Sequence, residues 1–279
     1  MTFRRVALVA LSGVVAFASV AAAQPQTPAP SPFSSDAQAL AFLRHAEILS
    51  MERIPTGVTE PRKVLLEKDG IRAYAVFRDV DLISEQVWMR DGTFYRELHD
   101  SAMFEVAAYR LATWLGFDNV PPTVVRSIGA RTGSLQLWIE GAMTETHRRR
   151  AGLRPPDYRG WLAQMRMMTL FDCLIGNIDR HGGNYLLDGS GKLWMIDHTR
   201  AFQKFVRDWT PGKIAMCEWQ VWNRLQRLDR ETLDEMLSDV LTSFEIKHLE
   251  ERLEGVVAHL RTQIALRGEH EVIIDRPLG

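Results

Sequence analysis

The stretch that decides the fold reads Gly176-Asn177-Ile178-Asp179-Arg180-His181-Gly182-Gly183-Asn184, and Met195-Ile196-Asp197-His198 follows it after a short interval. Polar and ionisable side chains crowd a glycine-punctuated loop between apolar segments, a pattern of function more than of packing. Tyr185 to Leu187 and Lys192 to Ile196 read as two short strands joined by Asp188-Gly189-Ser190-Gly191, a turn composition. The hairpin returns the chain, so Asp197 at its end faces Asn184 at its start. Spacing alone therefore allows the oxygen side chains of Asp179, Asn184 and Asp197 to gather around one point.

Upstream, Trp161, Leu162, Met165, Met168, Leu170 and Phe171 recur at helical spacing up to Ile175, and Gly176 stops that helix. Downstream, three helices are expected over Glu218 to Leu225, Arg230 to Leu241 and Glu245 to Arg267. In the first half, Ser35 caps a short helix through about Leu49, with Ala39, Phe42, Leu43 and Ala46 as its apolar stripe. Lys63 to Glu67 and Ile71 to Val80 read as strands around Asp69-Gly70, the chemistry of a tight hairpin. A helix is expected from Leu98 to Leu115, ended by Gly116. Thr123 to Ile128 and Ser134 to Ile139 then form strands around a Gly129 to Gly133 turn. Hairpin, helix and hairpin followed by helices make an α+β chain.

The 279 residues carry 34 basic against 35 acidic side chains, a balance that argues against a general nucleic-acid binder. Arg4 and Arg5 precede an apolar run from Val6 to Val20, and Ala21-Ala22-Ala23 offers a small-residue cleavage site. Residues 1–23 thus read as a secretory signal peptide, with export to a periplasm or the exterior and no membrane span left after cleavage. An uncleaved anchor or a buried N-terminal helix is the alternative reading of that run. Gln24 to Ser35 is a proline-rich linker, so residues 24–60 make a linker and short helix. Cys173 and Cys217 permit one disulfide, against the reading of plain buried thiols. His147-Arg148-Arg149-Arg150 reads as a solvated loop, or as a contact for an anion. Trp209, Trp219 and Trp222 fit core packing and a substrate-binding segment equally well.

Asp179 and Asn184 lie five residues apart, the offset that protein kinases keep between the catalytic-loop aspartate and the asparagine on the second magnesium. Phosphoryl transfer needs a carboxylate near the attacking hydroxyl and hard oxygen ligands that hold magnesium across nucleotide phosphates. At these residues the chain resembles the phosphatidylinositol 3- and 4-kinase-like superfamily, whose pattern is Asp-Arg-His-x-x-Asn followed by Ile-Asp. It is also similar to HipA-type kinases and to Golgi casein kinases. The resemblance implies a two-lobed protein-kinase-like fold, with a small β-rich lobe bearing one key helix over residues 61–142 and a mostly helical lobe over 143–279.

It further implies Asp179 as the catalytic aspartate, with His181 beside the transferred phosphoryl group, and Asn184 and Asp197 as ligands of Mg²⁺ or Mn²⁺. ATP is the implied cofactor, and a hydroxyl of a protein, lipid or small molecule the acceptor. Glu105, in Phe104-Glu105-Val106-Ala107-Ala108-Tyr109, becomes the helix carboxylate that pairs with a strand cation. Arg78, in Ala75-Val76-Phe77-Arg78, stands where the resemblance implies a phosphate-binding lysine. Lys63 and Lys68 are fallback donors. A planar guanidinium grips phosphate differently from a compact ammonium, so a nucleotide- or metal-binding pseudokinase acting as an interaction module is the competing reading. A third takes Asp179, His181, Asp197 and His198 as the metal site of a phosphohydrolase. Arg180 is expected to brace the loop, and His198 to cap the turn after Asp197.

Overall fold

The computed structural model describes residues 31–55, 60–88, 92–206 and 209–275. The expected signal peptide and the first part of the proline-rich linker lie outside the described residues. Helix α1 (Asp36–His45) starts where the Ser35 side chain accepts from the Gln38 N–H. Strands β1 (Glu47–Arg53), β2 (Arg62–Lys68) and β3 (Ile71–Arg78) follow. Asp69 and Gly70 take φ of 53° and 76° in the tight turn between β2 and β3.

After β3 come a separate hairpin of β4 (Asp81–Trp88) and β5 (Phe94–Ser101), then helix α2 (Met103–Leu115) and strands β6 (Thr123–Ile128) and β7 (Arg131–Leu137). An antiparallel sheet forms in the order β1-β2-β3-β7-β6. Strand alternation gives it two different faces. Val64, Leu66, Ala75, Phe77 and Leu135 pack with Phe42 and Leu43 of α1 in one small core. Val76, Arg78 and Gln136 fall on the opposite face, toward α2. Gly133 makes that pairing possible: a Cβ there would lie 1.9 Å from the Arg78 carbonyl oxygen.

The second region runs through β8 (Met143–Thr144), α3 (Glu145–Arg150), α4 (Tyr158–Ile175), β9 (Tyr185–Leu187) and β10 (Leu193–Met195). Strand β11 (Cys217–Glu218), α5 (Trp219–Leu225), α6 (Arg230–Leu237), α7 (Ser243–Arg267), α8 (Glu269–Val272) and β12 (Ile273–Ile274) complete it. Phe104, Leu111 and Leu115 of α2 share a larger core with Leu170, Phe171 and Leu174 of α4 and with the helices α5 to α7. Helix α2 is therefore packed into both regions. This is the α+β architecture expected: an antiparallel sheet with one key helix, then a mainly helical half.

Several local expectations are corrected. The first helix ends at His45, not near Leu49, because Glu47–Arg53 pairs with β2. The long helix starts at Met103, not Leu98: Leu98 is buried, but within β5, opposite Ser84 of β4. Leu98 lies off the face that Phe104, Ala108, Leu111 and Leu115 share at helical spacing, and sheet pairing claims its segment instead. The basic run is helix α3, not a loop, and both Arg148 and Arg149 donate to the buried Glu145 carboxylate. Helix α6 stops at Leu237, short of Leu241. Cys173 and Cys217 are free thiols, which burial pushes up to about 11 and about 12. Trp222 is buried, and the Trp209 indole donates to the Cys173 carbonyl, so these tryptophans pack the core.

Candidate functional site

Helix α4 ends where Gly176, at φ 60°, donates back to the Asp172 and Cys173 carbonyls. The loop beyond it is built around Arg180. Its Nε and Nη2 grip the two oxygens of Asp172 at 2.8 and 2.9 Å. Its Nη1 donates to the Ile196 carbonyl at 2.8 Å and also to the Asn184 carbonyl. One guanidinium thus ties both ends of the β9–β10 hairpin to α4, the bracing role expected of it. Asn184 is buried and its Nδ2 donates to the Asp179 carbonyl at 2.8 Å, while the Ile196 N–H donates to the Asn184 carbonyl at 3.2 Å. Asp179, Asn184 and the strand leading to Asp197 are in this way one hydrogen-bonded unit.

The Asp179 carboxylate stands 3.2 Å from Nη1 of Arg200, whose Nε donates to Asp100 at the end of β5 at 2.9 Å. Sequence reading missed both Arg200 and Asp100. Arg200 lies three residues past Asp197, and that proximity to the motif was the available signal.

Asp197 adopts φ 60°, in the left-handed region that non-glycine residues seldom occupy. Arg78 reaches it from β3. The guanidinium is 6% exposed, with Nη1 3.6 Å from Glu105 and Nε 3.9 Å from Asp197. Both nitrogens lack a hydrogen-bond partner. Glu105 is fully buried and accepts from Gln136 Nε2 at 3.3 Å, from the His198 N–H at 3.0 Å and from His198 Nδ1 at 3.2 Å. Burial alone would push its carboxyl up; the Arg78 charge and the His198 hydrogen bonds outweigh that and hold it at about 2. Asp197 is raised, first by burial and then by the carboxylates of Glu105, Asp100 and Asp179, against the opposing Arg78.

Five of the six expected site residues, Arg78, Glu105, Asp179, Asn184 and Asp197, meet between the sheet face and the loop. His181 stands apart. It is exposed, and its Nδ1 accepts from the Gly183 N–H at 3.0 Å, which places the ring proton on Nε2. His198 does not merely cap a turn, being sealed against Glu105. With one histidine exposed and the other sealed, the mixed histidine–carboxylate metal site does not assemble. Among the described residues no group of three or more His, Cys, Asp or Glu is arranged to hold a metal. Asp179, Asn184 and Asp197 offer two carboxylates and an amide, oxygen chemistry that suits Mg²⁺ or Mn²⁺ alongside phosphate oxygens.

The fallback lysines are occupied elsewhere. Lys63 lies over the Tyr74 and Trp138 rings at 3.8 and 4.4 Å, and Lys68 pairs with Asp69. Arg78 is the buried cation of the sheet face toward α2, and its two unpartnered nitrogens lie beside the Glu105 and Asp197 carboxylates; guanidinium donors of this kind suit a phosphate. A cavity of about 650 Å³ beside the chain that follows Asp197 is lined by Phe94, Lys204, Phe205, Trp209 and Arg252 among others; it includes none of the five converging residues.

No family model matches the chain. A segment of 122 residues is 33% identical to protein Rv2133c of Mycobacterium tuberculosis, covering 34% of this chain and 44% of that one. A segment of 154 residues is 28% identical to phosphatidylinositol 4-kinase gamma 4 of Arabidopsis thaliana, covering 46% of this chain and 25% of the plant protein. The matches thus span less than half the length of either relative.

Solved structures agree over much more of the chain. Hydra Fam20 with sugar superposes with a TM-score of 0.62 at 19% identity, over 88% of this chain and 95% of that one. The Golgi casein kinase with Mn/ADP bound gives 0.61 at 17%, over 88% and 81%. At such identities the likeness is one of fold. That fold is of the atypical kinase-like kind, and the comparisons single out no one family within it.

Proposed function

We propose that this chain is an exported atypical kinase, transferring the γ-phosphoryl group of a nucleoside triphosphate to a hydroxyl acceptor on a protein, lipid or small molecule. The observation that carries the reading is Arg78: a buried guanidinium with two unpartnered nitrogens, set between Glu105 and Asp197. A buried cation left short of hydrogen bonds is costly unless a ligand completes it. A nucleotide phosphate is the complement that this fold supports. Export is supported by the signal-like start of the chain. No helix among the described residues is long and apolar enough to cross a membrane.

In this proposal Arg78 binds phosphate oxygens through its free Nε and Nη1. Asn184 and Asp197 would hold Mg²⁺ or Mn²⁺, which supplies charge neutralisation across the phosphates when bound. Asp179 orients the acceptor hydroxyl and takes its proton as the new oxygen–phosphorus bond forms. The bond from phosphorus to the bridging oxygen breaks, and the diphosphate leaves. Arg200, held by Asp100, keeps Asp179 turned into the cleft. His181, though exposed, lies on the same loop, where an acceptor or phosphoryl group approaching from solvent meets it.

Asp197→Ala is expected to abolish Mn²⁺-dependent binding of ADP, measured by thermal shift. Asp179→Ala is expected to leave that binding intact and to lower radiolabel transfer roughly 10²- to 10⁴-fold. Unaltered nucleotide binding in Asp197→Ala would falsify the metal assignment. The second reading, a nucleotide-binding pseudokinase, draws on Arg78 standing in place of a lysine. It predicts Mn²⁺·ADP binding by the unaltered protein without measurable transfer.

A further inference from the structure

We infer that His198 is a positioning residue for Asp197, acting through Glu105, and that this work is separate from the pairing of Glu105 with Arg78. Asp197 at φ 60° holds a left-handed backbone conformation that non-glycine residues seldom adopt without support from their surroundings. Such strain persists only where the surroundings over-determine it. On one side the Ile196 N–H and carbonyl are fixed by Asn184 and Arg180. On the other side His198 donates twice to one carboxylate, from its backbone N–H to Glu105 Oε1 and from Nδ1 to Glu105 Oε2. One carboxylate thereby fixes both the backbone and the ring of the residue next to Asp197. Both partners are 0% exposed, so no water competes.

The distances rank the claims on Glu105. The His198 bonds are 3.0 and 3.2 Å, whereas the Arg78 guanidinium stands 3.6 Å away and makes no hydrogen bond to it. Glu105 is therefore hydrogen-bonded to the loop that carries Asp197 and pairs with the strand cation through charge alone. A carboxylate can only accept from Nδ1, so the ring proton belongs there. Nε2 has no partner, which an imidazole lone pair tolerates better than an N–H donor would. Phe171 meets the ring edge-on, with centroids 6.1 Å apart at 86°. Any residue supplies the backbone bond; the second bond is particular to the imidazole.

The metal half of the test rests on the function proposed above, and the other half does not. In ¹⁵N-histidine-labelled unaltered protein without metal, long-range ¹H–¹⁵N correlation is expected to find the His198 proton on Nδ1. Finding the Nε2–H tautomer overturns the inference without any variant having to fold. His198→Leu is expected to speed hydrogen exchange of the amide at position 198, and to weaken Mn²⁺·ADP binding roughly 10- to 100-fold. Metal-free ADP binding should be unchanged. His198→Asn, whose side-chain amide can stand at the Nδ1 position, is expected to restore most of both losses. If His198→Leu lowers only the melting temperature, with exchange and Mn²⁺ dependence intact, the ring is mere packing and the inference fails. Unaltered protein that binds no Mn²⁺·ADP overturns the proposed kinase reading, while the tautomer and exchange still decide the positioning role.

Discussion

Two buried guanidiniums flank Asp197, one from the helical region and one from the sheet, and they are treated in opposite ways. Arg180 is saturated: both oxygens of Asp172 and two backbone carbonyls take its protons. Arg78 is buried more deeply yet has two nitrogens without a partner. The first arrangement is that of a brace, closed before any ligand arrives. The second keeps two donors uncommitted, beside the Glu105 and Asp197 carboxylates. Burial and charge alone do not separate these two arginines; the count of satisfied donors does.

The largest expected effect breaks the brace. Arg180→Met removes the cation paired with Asp172 and the donor to the Ile196 carbonyl, although Asp172 keeps the Asn177 amide and the Asn184 carbonyl keeps the Ile196 N–H, and is expected to cost about 3–5 kcal/mol of unfolding free energy in urea denaturation. Arg78→Met tests the open partner. Glu105 keeps its His198 and Gln136 donors, so the stability loss should be less than about half that of Arg180→Met. ADP affinity in the presence of Mn²⁺ should fall roughly 10- to 100-fold, the value of one or two charge-assisted hydrogen bonds. Equal stability losses for the two variants would erase the distinction between brace and binder.

A smaller effect sharpens the comparison with a third, conditional cation. His99 of β5 faces Asp81 at 2.8 Å and Glu245 at 3.0 Å, so both ring nitrogens are satisfied only in the protonated form. The Glu245 hydrogen bond raises its pKa, burial opposes, and Asp81 adds to the rise. The stabilisation is therefore fully present below the ordinary histidine pKa and is lost as pH climbs through the raised one. Melting temperatures of the unaltered protein and of His99→Gln are expected to differ most at acid pH and to converge as the solution becomes alkaline. A gap that widens with rising pH would contradict the pairing.

How far the molecule was legible depends on where each signal lies along the chain. The Asp69-Gly70 turn, the Gly176 helix stop and the β9–β10 hairpin were readable because turn chemistry acts within a few residues. Asp179, Asn184 and Asp197 were readable as a group because a short hairpin brings them together without help from the rest of the fold. The β4–β5 hairpin was not read, although Asp91-Gly92 is a turn signal. The end of β5 was read as the start of the following helix, and the strands carry charged, exposed residues such as Glu85 and Arg96 instead of clean alternation. The start of strand β1 was read as the end of a helix and the rest of it was not read, because its partner is a later segment.

By itself the sequence determined several local turns, the helix stop at Gly176 and the presence of an acid–amide–acid set at kinase spacing, since each is settled by backbone preference or short loop closure. Tertiary structure alone decided which charges are spent and which are free. His198 lies 93 residues from Glu105, and Arg200 lies 100 from Asp100. No periodicity or motif encodes such pairs, because they arise only when α2 and β5 pack against the loop after Asp197. Whether a buried cation is saturated or open is a property of that packing, and it separates Arg78 from Arg180.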